Sequence, residues 1–229
     1  SRFTVVHQNL EASLESEKVL MELLKTRTGH NGGMLLIGPD EMLYAGIGEN
    51  NQMMVVRDRD NLFGKIIRID LRQVSSERGY TIPQDNPFIG EAGVREEIWA
   101  YGFRNPWRLS IDAVTGKMHV ADVGFLTYEE VNEVKPGEYY GWPIMEGHEC
   151  YQDNPECTPE GVLPMASFPR LLLRTIIGEE VYRGSSFPEL QGEYIFGDFF
   201  RGLYHIPTTT DAMIQIPTVL LHEPLSPHP

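Results

Sequence analysis

Three stretches of this chain repeat one pattern: M-L-Y-A-G-I-G-E at residues 42–49, M-H-V-A-D-V-G at 118–124 and Y-I-F-G-D at 194–198. Each is a short apolar strand that ends at a glycine near an acid, and successive stretches begin 76 residues apart. Self-similarity at a fixed period in β-rich sequence is typical of radial or stacked repeats, because one unit cannot bury its apolar face alone. The sequence therefore predicts an all-β repeat architecture.

Each of these strands is predicted to be the second of three. A first strand runs into it through a turn rich in Gly, Pro, Asp or Thr, residue types that set the backbone angles of reversals. The predicted first strands are residues 34–37, 107–112 and 180–183, and the predicted third strands are residues 65–71, 129–134 and 202–206. Residues 65–71 alternate apolar with polar side chains, as a strand with one solvated face does.

This organisation predicts a partial β-propeller of about three to four blades. Propeller blades usually repeat about every 40–50 residues, so the longer period indicates long loops between blades, where functional residues often lie. We assign residues 1–229 to one such domain, with approximate blades at 1–25 (incomplete), 26–80, 95–137 and 176–210. Since residues 1–6 look like the middle of a strand and residues 225–229 supply no strand that would close a ring, we expect the chain to be a fragment or one half of a larger propeller.

Composition excludes two classes of partner. The formal net charge is −14, which argues against nucleic acid, because phosphate binding requires clustered Lys and Arg. Hydrophobic residues make up 41% of the chain, but no apolar run approaches the length of a membrane span. A neutral small-molecule substrate fits this charge better.

Eight sequence blocks resemble the glucose/sorbosone dehydrogenase family, the soluble quinoprotein aldose-sugar dehydrogenases. They follow family order at residues 30–40, 62–70, 82–88, 98–112, 121–124, 140–147, 181–184 and 192–199. The resemblance implies a six-bladed β-propeller that uses pyrroloquinoline quinone (PQQ) and calcium. It also implies oxidation of an aldose sugar at the anomeric carbon by hydride transfer to the quinone, and it leaves the electron acceptor open.

The resemblance implies a catalytic base at His30, in the block H-N-G-G. Imidazole exchanges protons near neutral pH and suits this role when a partner fixes its tautomer. The family holds the histidine with an aspartate, and here that position is Glu49. The additional methylene displaces the carboxylate by roughly 1 Å, which can matter for catalysis. The alternative for His30 is a structural histidine that caps a turn.

Cofactor contacts are implied at four further positions. Arg104 and Asn105, in F-R-N-P-W, match the pair that contacts the quinone carbonyls, where a guanidinium stabilises developing negative charge. Arg104 could instead pair with an acid of a neighbouring blade. Trp142 is either a pocket wall or a core residue. Arg201 is the candidate partner for a cofactor carboxylate, and because other such arginines are absent, we expect this polypeptide alone to bind the quinone weakly.

Calcium is implied at two successive main-chain carbonyls, Gly124 and Phe125, since hard cations prefer oxygen ligands. Glu129 and Glu130 are either nearby ligands or, as we favour, the solvated face of a strand. Cys150 and Cys157 flank a polar loop at a spacing that allows a disulfide. A disulfide favours the periplasm or secretion, with the export signal outside this chain.

Two open alternatives remain. Residues 10–25 are rich in strong helix formers with charges about a turn apart, which favours a helix, whereas the implied propeller favours pairing residues 2–7 with 18–23 as strands of a preceding blade. In function, the main hypothesis is a PQQ-dependent sugar dehydrogenase. The alternative is a non-catalytic binding propeller like the hedgehog-interacting relatives, or an inactive fragment.

Overall fold

The chain begins with a strand hairpin instead of a helix. A computed structural model describes residues 1–6, 11–72, 78–153, 156–208 and 216–222. In it, β1 (Arg2–Val6) pairs antiparallel with β2 (Glu11–Lys18). The second strand thus lies earlier than the predicted 18–23, and residue 7 of the predicted first strand is outside the described residues. Helix propensity is a weak preference that strand pairing overrides.

The first four-stranded sheet covers residues 35–101. Its strands are β3 (Leu35–Ile37), β4 (Leu43–Ile47), β5 (Lys65–Ile69) and β6 (Ile98–Tyr101), which pair antiparallel in that order. A short 3-10 helix, Met53–Val56, lies in the loop between β4 and β5. Long segments of chain therefore separate β4 from β5 and β5 from β6.

The second sheet contains a hairpin inserted before its last strand. Its first strands are β7 (Pro106–Ile111), β8 (Met118–Asp122) and β9 (Tyr128–Val134). The inserted hairpin consists of β10 (Met145–Glu146) and β11 (Glu149–Cys150), followed by a 3-10 turn at Tyr151–Asp153. The sheet ends with β12 (Ala166–Pro169), which pairs antiparallel with β9.

The third sheet repeats the same order. Its strands are β13 (Ile176–Val181), β14 (Glu193–Asp198), β15 (Gly202–Pro207) and β16 (Thr218–His222), with a 3-10 helix at Pro188–Leu190. The all-β prediction is confirmed for the described residues. None of their helices is long and apolar enough to cross a membrane.

The predicted strands account for three of the four strands in each sheet. The missed strands are β6, β12 and β16, and β13 begins before the predicted residue 180. Each sheet therefore ends later than the predicted blade, and β6 closes the first sheet although the range 95–137 assigned it to the next. β6 and β12 are far along the chain from the strands they pair with, so no tight turn in the sequence marks their pairing.

Apolar cores fill the spaces between neighbouring sheets. Leu109 and Val120 of the second sheet pack with Tyr44 and Ile66 of the first. Phe168 of the second sheet packs on Phe196 of the third, with ring centroids 5.1 Å apart. Burying a side chain of this size contributes roughly 1.5–3 kcal/mol. The sheets thus pack face to face as three successive blades of a partial propeller.

The antiparallel order brings two kinds of chain segment to one end of each blade. The segment that enters the first strand lies beside the segment that leaves the second, because paired antiparallel strands place one beginning next to one end. In the first two blades these segments are residues 30–33 with 48–50, and 102–105 with 123–125. His30, Glu49, Arg104 and Asn105 lie at these corners.

Candidate active site

Glycines shape the backbone around His30. His30 itself has a positive φ of 44° after Gly29 at 93°. A Cβ on Gly48 would lie 2.2 Å from the His30 carbonyl oxygen, so the two segments approach more closely than any other residue would permit. The Asn50 amide donates to that same oxygen at 3.1 Å. The H-N-G-G turn and the end of β4 are thereby locked together, with the imidazole beside Glu49.

Glu49 is buried and bridges two side chains. Its Oε1 lies 2.9 Å from Nδ1 of His30, and its Oε2 accepts a hydrogen bond from Nε1 of Trp142 at 2.7 Å. Its exposed fraction is 2%. The longer glutamate side chain therefore holds both the imidazole and the indole.

Arg104 completes this cluster from the second blade. Its Nη2 lies 2.9 Å from Nε2 of His30, and its Nη1 donates to the carbonyls of Val123, at 2.9 Å, and Gly124. Burial lowers the pKa of the guanidinium, an effect that the charge of Glu49 opposes. The alternative pairing with an acid of a neighbouring blade is not among the hydrogen bonds of the described residues.

These contacts fix the tautomer of His30. A guanidinium has only donors, so Nε2 of the imidazole accepts from Arg104 and Nδ1–H donates to Glu49. The lone pair on Nε2 therefore faces the inside of the cluster. This is the arrangement that a general base needs, with the proton-accepting nitrogen aimed inward and the other nitrogen held by a carboxylate.

Asn105 and Asp122 connect the two blades. The Asn105 Oδ1 accepts from the Gly32 amide at 2.9 Å. Asp122 accepts from the backbone amides of Arg104, at 2.9 Å, and Asn105, at 2.6 Å. Burial raises the pKa of Asp122 to about 7. Asp198 holds two amides in the same way at the third blade, so the acid of the sequence repeat orients the entry to the first strand in the second and third blades.

Trp142 lies in the core, as one of its two predicted interpretations has it, and its role as a wall of a sugar or cofactor pocket stays a prediction. It is buried, with 4% of its surface exposed, and its ring also forms a wall of the cluster. The guanidinium of Arg104 lies 5.0 Å from the ring centroid of Phe125 and 5.8 Å from that of Trp142. Arg104 Nε is buried without a hydrogen-bond partner among the described residues. Two aromatic faces and an unsatisfied cationic donor suit a planar anionic cofactor.

The predicted calcium carbonyl does not fit a metal ion as it stands. The Gly124 oxygen accepts from Nη1 of Arg104 and from Nη1 of Arg170, the latter at 3.0 Å. A carbonyl oxygen has two lone pairs, so both are in use, and two cations already occupy its surroundings. The Phe125 amide donates to Glu146 at 2.7 Å. Calcium would bind at Gly124 only after both guanidiniums turned away.

Glu129 and Glu130 are buried, so the favoured prediction of a solvated strand face is wrong. Their exposed fractions are 0% and 9%. Burial raises the pKa of each carboxyl to about 8. Glu129 accepts from Arg170, and Glu130 accepts from the Gly147 amide at 2.6 Å. β12 and the β10–β11 hairpin supply the covering that the local sequence does not reveal.

The structure brings together most, but not all, of the predicted site residues. Side-chain hydrogen bonds join four of them in one series: Trp142, Glu49, His30 and Arg104. Asn105 follows Arg104 in the chain and accepts from the Gly32 amide. Arg201 lies at the corresponding corner of the third blade, and none of the hydrogen bonds or ring contacts of the described residues joins it to this cluster. Arg170 was missed because it stands in no recognised motif. Glu146 was missed although it lies in the block at residues 140–147, because nothing in the sequence places it beside the amides of residues 125–128.

Replacing Glu130 with glutamine is expected to flatten the pH dependence of stability. A carboxyl whose pKa is raised in the folded state holds its proton there while the unfolded chain releases it. Its contribution is present below about pH 4.5 and is lost as the pH rises to about 8. The slope is up to about 1.4 kcal/mol per pH unit for one proton.

Urea unfolding at pH 5, 6, 7 and 8 measures this slope. The wild-type free energy of unfolding should fall more steeply with pH than that of Glu130→Gln. Glu133→Gln is the matched control, since Glu133 lies on the same strand and pairs with Lys117 at 2.8 Å. Parallel curves for wild type and Glu130→Gln would contradict the prediction.

Comparisons with known proteins show the family of this chain. A family profile described as glucose/sorbosone dehydrogenase matches residues 2–213. The HIPL1 protein of Arabidopsis thaliana is 33% identical over 202 residues, 76% of this chain and 29% of that protein. The aldose sugar dehydrogenase YliI of Escherichia coli is 37% identical over 127 residues, 55% and 32% of the two chains. Human hedgehog-interacting protein is 26% identical over 206 residues, 86% and 27%. The chain thus spans less than a third of each relative.

Solved structures show the same fold. The apo form of the soluble aldose sugar dehydrogenase from Escherichia coli superposes with a TM-score of 0.70 and 28% identity, over 91% of this chain and 64% of that one. The PQQ-bound aldose sugar dehydrogenase from Streptomyces coelicolor gives 0.60 and 28%, over 84% and 49%. The predicted fold class, a partial propeller of the quinoprotein dehydrogenase type, is confirmed.

Proposed function

This chain belongs to the glucose/sorbosone dehydrogenase family, and we propose that it contains the residues that accept the substrate proton in an aldose-sugar oxidoreductase. The observation that carries the proposal is the contact series Glu49, His30, Arg104, in which two distances of 2.9 Å join a carboxylate, an imidazole and a guanidinium. This series joins the ends of two blades and leaves the Nε2 lone pair of the imidazole facing Arg104, where we propose that the sugar hydroxyl enters.

His30 takes the proton from the anomeric hydroxyl of the sugar. Its Nε2 is the accepting atom, because Nδ1–H is committed to Glu49. Arg104 donates to that nitrogen in the absence of substrate, so the guanidinium must turn aside for the sugar hydroxyl to enter. Glu49 then stabilises the imidazolium that results, as a buried carboxylate does in other base–carboxylate pairs.

PQQ is the proposed cofactor, and when bound it supplies the hydride acceptor. Arg104 and Asn105 would hold its carbonyl oxygens, Phe125 and Trp142 would flank its plane, and Arg201 is the proposed partner of a carboxylate. The unsatisfied Nε of Arg104 supports this fit. The Gly124 and Phe125 carbonyls remain the proposed calcium ligands only in a state where the guanidiniums have left Gly124, and no step depends on that metal.

The substrate is proposed to be a neutral aldose, which suits a protein with a formal net charge of −14. We further propose a periplasmic or secreted location. A disulfide joins Cys150 and Cys157, and such bonds persist in oxidising compartments.

A second candidate function is a non-catalytic binding propeller. Two observations favour it: a glutamate replaces the aspartate implied by the family, and arginines occupy the Gly124 carbonyl. The hedgehog-interacting relative supports the same alternative. Loss of calcium binding with retention of the fold would leave a rigid surface for a partner.

Loading the protein with PQQ and calcium distinguishes the two functions. The protein is expressed with any sequence that flanks the chain in its gene, and cofactor absorbance follows binding. Oxidation of glucose is then measured with an artificial dye as electron acceptor. We expect dye reduction that depends on both glucose and PQQ. Stoichiometric PQQ binding without dye reduction for any aldose would favour the binding module, as would no PQQ binding by a folded protein.

A further inference from the structure

A buried histidine of the second blade lacks hydrogen-bond partners. His119, on β8, is 1% exposed, and neither of its ring nitrogens has a partner among the described residues. Burial lowers the pKa of its imidazole, so at neutral pH one ring nitrogen is a donor and the other an acceptor. Buried polar groups are almost always hydrogen-bonded. The imidazole therefore needs a partner that the described residues do not supply.

His119 faces the third blade and stands apart from the candidate active site. Its ring centroid lies 5.5 Å from that of Tyr194, on β14. Asp122, which holds the Arg104 amide, lies at the other end of β8. Three residues of strand separate His119 from Asp122, which corresponds to roughly 10 Å. The partner of His119 is thus not a group of the candidate active site.

The imidazole lines a cavity of about 260 Å³ between the second and third blades. His119 itself is buried, whereas Thr115 and Gln191, which also line the cavity, are exposed. The cavity therefore leads from solvent to the buried imidazole. A water molecule takes about 30 Å³ of liquid volume, so this space is large enough for a ligand of several heavy atoms.

The charged side chains of the cavity walls are already paired. Among the described residues they form three pairs: Asp112 with Arg183 at 2.7 Å, Lys117 with Glu133 at 2.8 Å, and Glu193 with His205 at 3.0 Å. A charged ligand would have to break one of these pairs or lie beside a like charge, which is costly. The cavity thus favours an uncharged ligand.

The polar groups that remain are matched by hydroxyls. A hydroxyl both donates and accepts, so it can satisfy either nitrogen of the neutral His119 ring. Thr115, Gln191 and Thr208 place further polar groups around the cavity, and Pro207 supplies a small apolar surface. A wall that is polar on several sides fits a molecule with several hydroxyls better than an aromatic or aliphatic one.

We propose that this cavity is a binding site for a small uncharged polyol and that His119 bonds to one of its hydroxyls. The polyol lies between the β7–β8 turn of the second blade and residues 183–193 of the third, so its binding links the two blades. Because the site is remote from His30, the proposal does not depend on the proposed oxidation of a sugar.

Nitrogen NMR of the quinone-free protein during a titration with xylitol tests this proposal. Xylitol is a linear polyol without an anomeric carbon, so it cannot be oxidised as an aldose is. We expect the ring nitrogens of His119 to shift until they reach saturation. His148, whose Nδ1 lies 2.7 Å from Ser167 Oγ, is the internal reference and should not shift. A titration without a saturable shift at His119 would overturn the proposal and leave the cavity to water.

Two variants locate the binding by calorimetric titration with xylitol. His119→Phe keeps a ring against Tyr194 but removes both nitrogens, and Gln191→Trp obstructs the exposed rim of the cavity. We expect each to weaken binding about tenfold. Gln84→Trp, at an exposed position of the first blade, is the matched control and should bind as wild type does. Unchanged affinity in both His119→Phe and Gln191→Trp would contradict the proposed site.

A charged analogue tests the class of ligand. Xylonate carries a carboxylate on the same five-carbon chain, and that charge would lie beside Asp112 and Glu193. We expect xylonate to bind at least about tenfold more weakly than xylitol, and equal or tighter binding would overturn the assignment of an uncharged ligand. If xylitol binds as expected but no aldose is oxidised, the polyol site stands and the proposed function fails.

Discussion

Replacing His30 with glutamine is expected to lower kcat for aldose oxidation by about 10³-fold, within the range that a positioned general base supplies. Glutamine can still bond to Glu49 and Arg104, but it cannot take a proton at neutral pH. The measurement is steady-state oxidation of glucose by the PQQ-loaded protein, with an artificial dye as acceptor.

The matched control for His30 is a second histidine–glutamate pair. His205 Nδ1 lies 3.0 Å from Glu193 Oε2 on the third blade, away from the contact series of the candidate site. His205→Gln should leave kcat within about twofold of wild type, since surface changes of this kind are small. Turnover of His30→Gln close to wild type would remove His30 as the base.

The second large effect is expected at Glu49. Its two oxygens accept from two different donors, Nδ1 of His30 and Nε1 of Trp142. In Glu49→Gln only one of the two terminal atoms is an acceptor, so one donor loses its partner and the imidazole can adopt the wrong tautomer. We expect kcat to fall by about 10³-fold, as in other carboxylate-to-amide changes beside a catalytic histidine.

Glu49→Asp makes this prediction more specific. The aspartate restores the negative charge but shortens the side chain, so we expect it to hold His30 and lose Trp142, with kcat between wild type and Glu49→Gln. Nitrogen NMR of the imidazole should report the Nδ1–H tautomer in wild type and Glu49→Asp, and a mixture in Glu49→Gln. Glu193→Gln controls for loss of a histidine-paired carboxylate elsewhere. Identical tautomers and kcat in all variants would contradict the assigned role of Glu49.

Local signals predicted the first three strands of each blade. In each blade the first three strands follow one another through turns or loops with clear Gly, Pro or Asp signals, and β4, β8 and β14 were located by their repeat. β12 could not be located in this way, because the β10–β11 hairpin and its disulfide loop separate it from β9. Pairing across such a loop depends on the packed blade.

The local sequence pattern also did not predict that Glu129 and Glu130 are buried. The run E-E-V-N-E-V at residues 129–134 looks like a solvated strand face. In the structure β12 pairs with this strand, Ser167 opposite Glu130 and Phe168 opposite Glu129. Arg170 follows β12 and reaches Glu129 and Gly124. The strand that covers both acids, and the arginine that pairs with Glu129 from 41 residues away, are therefore brought to them by the fold, and no local motif predicts them.

The sequence by itself determined the repeat, the three-stranded pattern of each blade and the family motifs that contain His30, Arg104 and Asn105. These depend on turn chemistry and on residue types, which are local properties. Only the tertiary structure decided that Glu49 bonds to both His30 and Trp142, that two arginines donate to the Gly124 carbonyl, and that Glu129 and Glu130 are buried. The physical reason is that hydrogen bonds and burial depend on atoms brought together from different blades, whose positions are set by packing of the whole molecule.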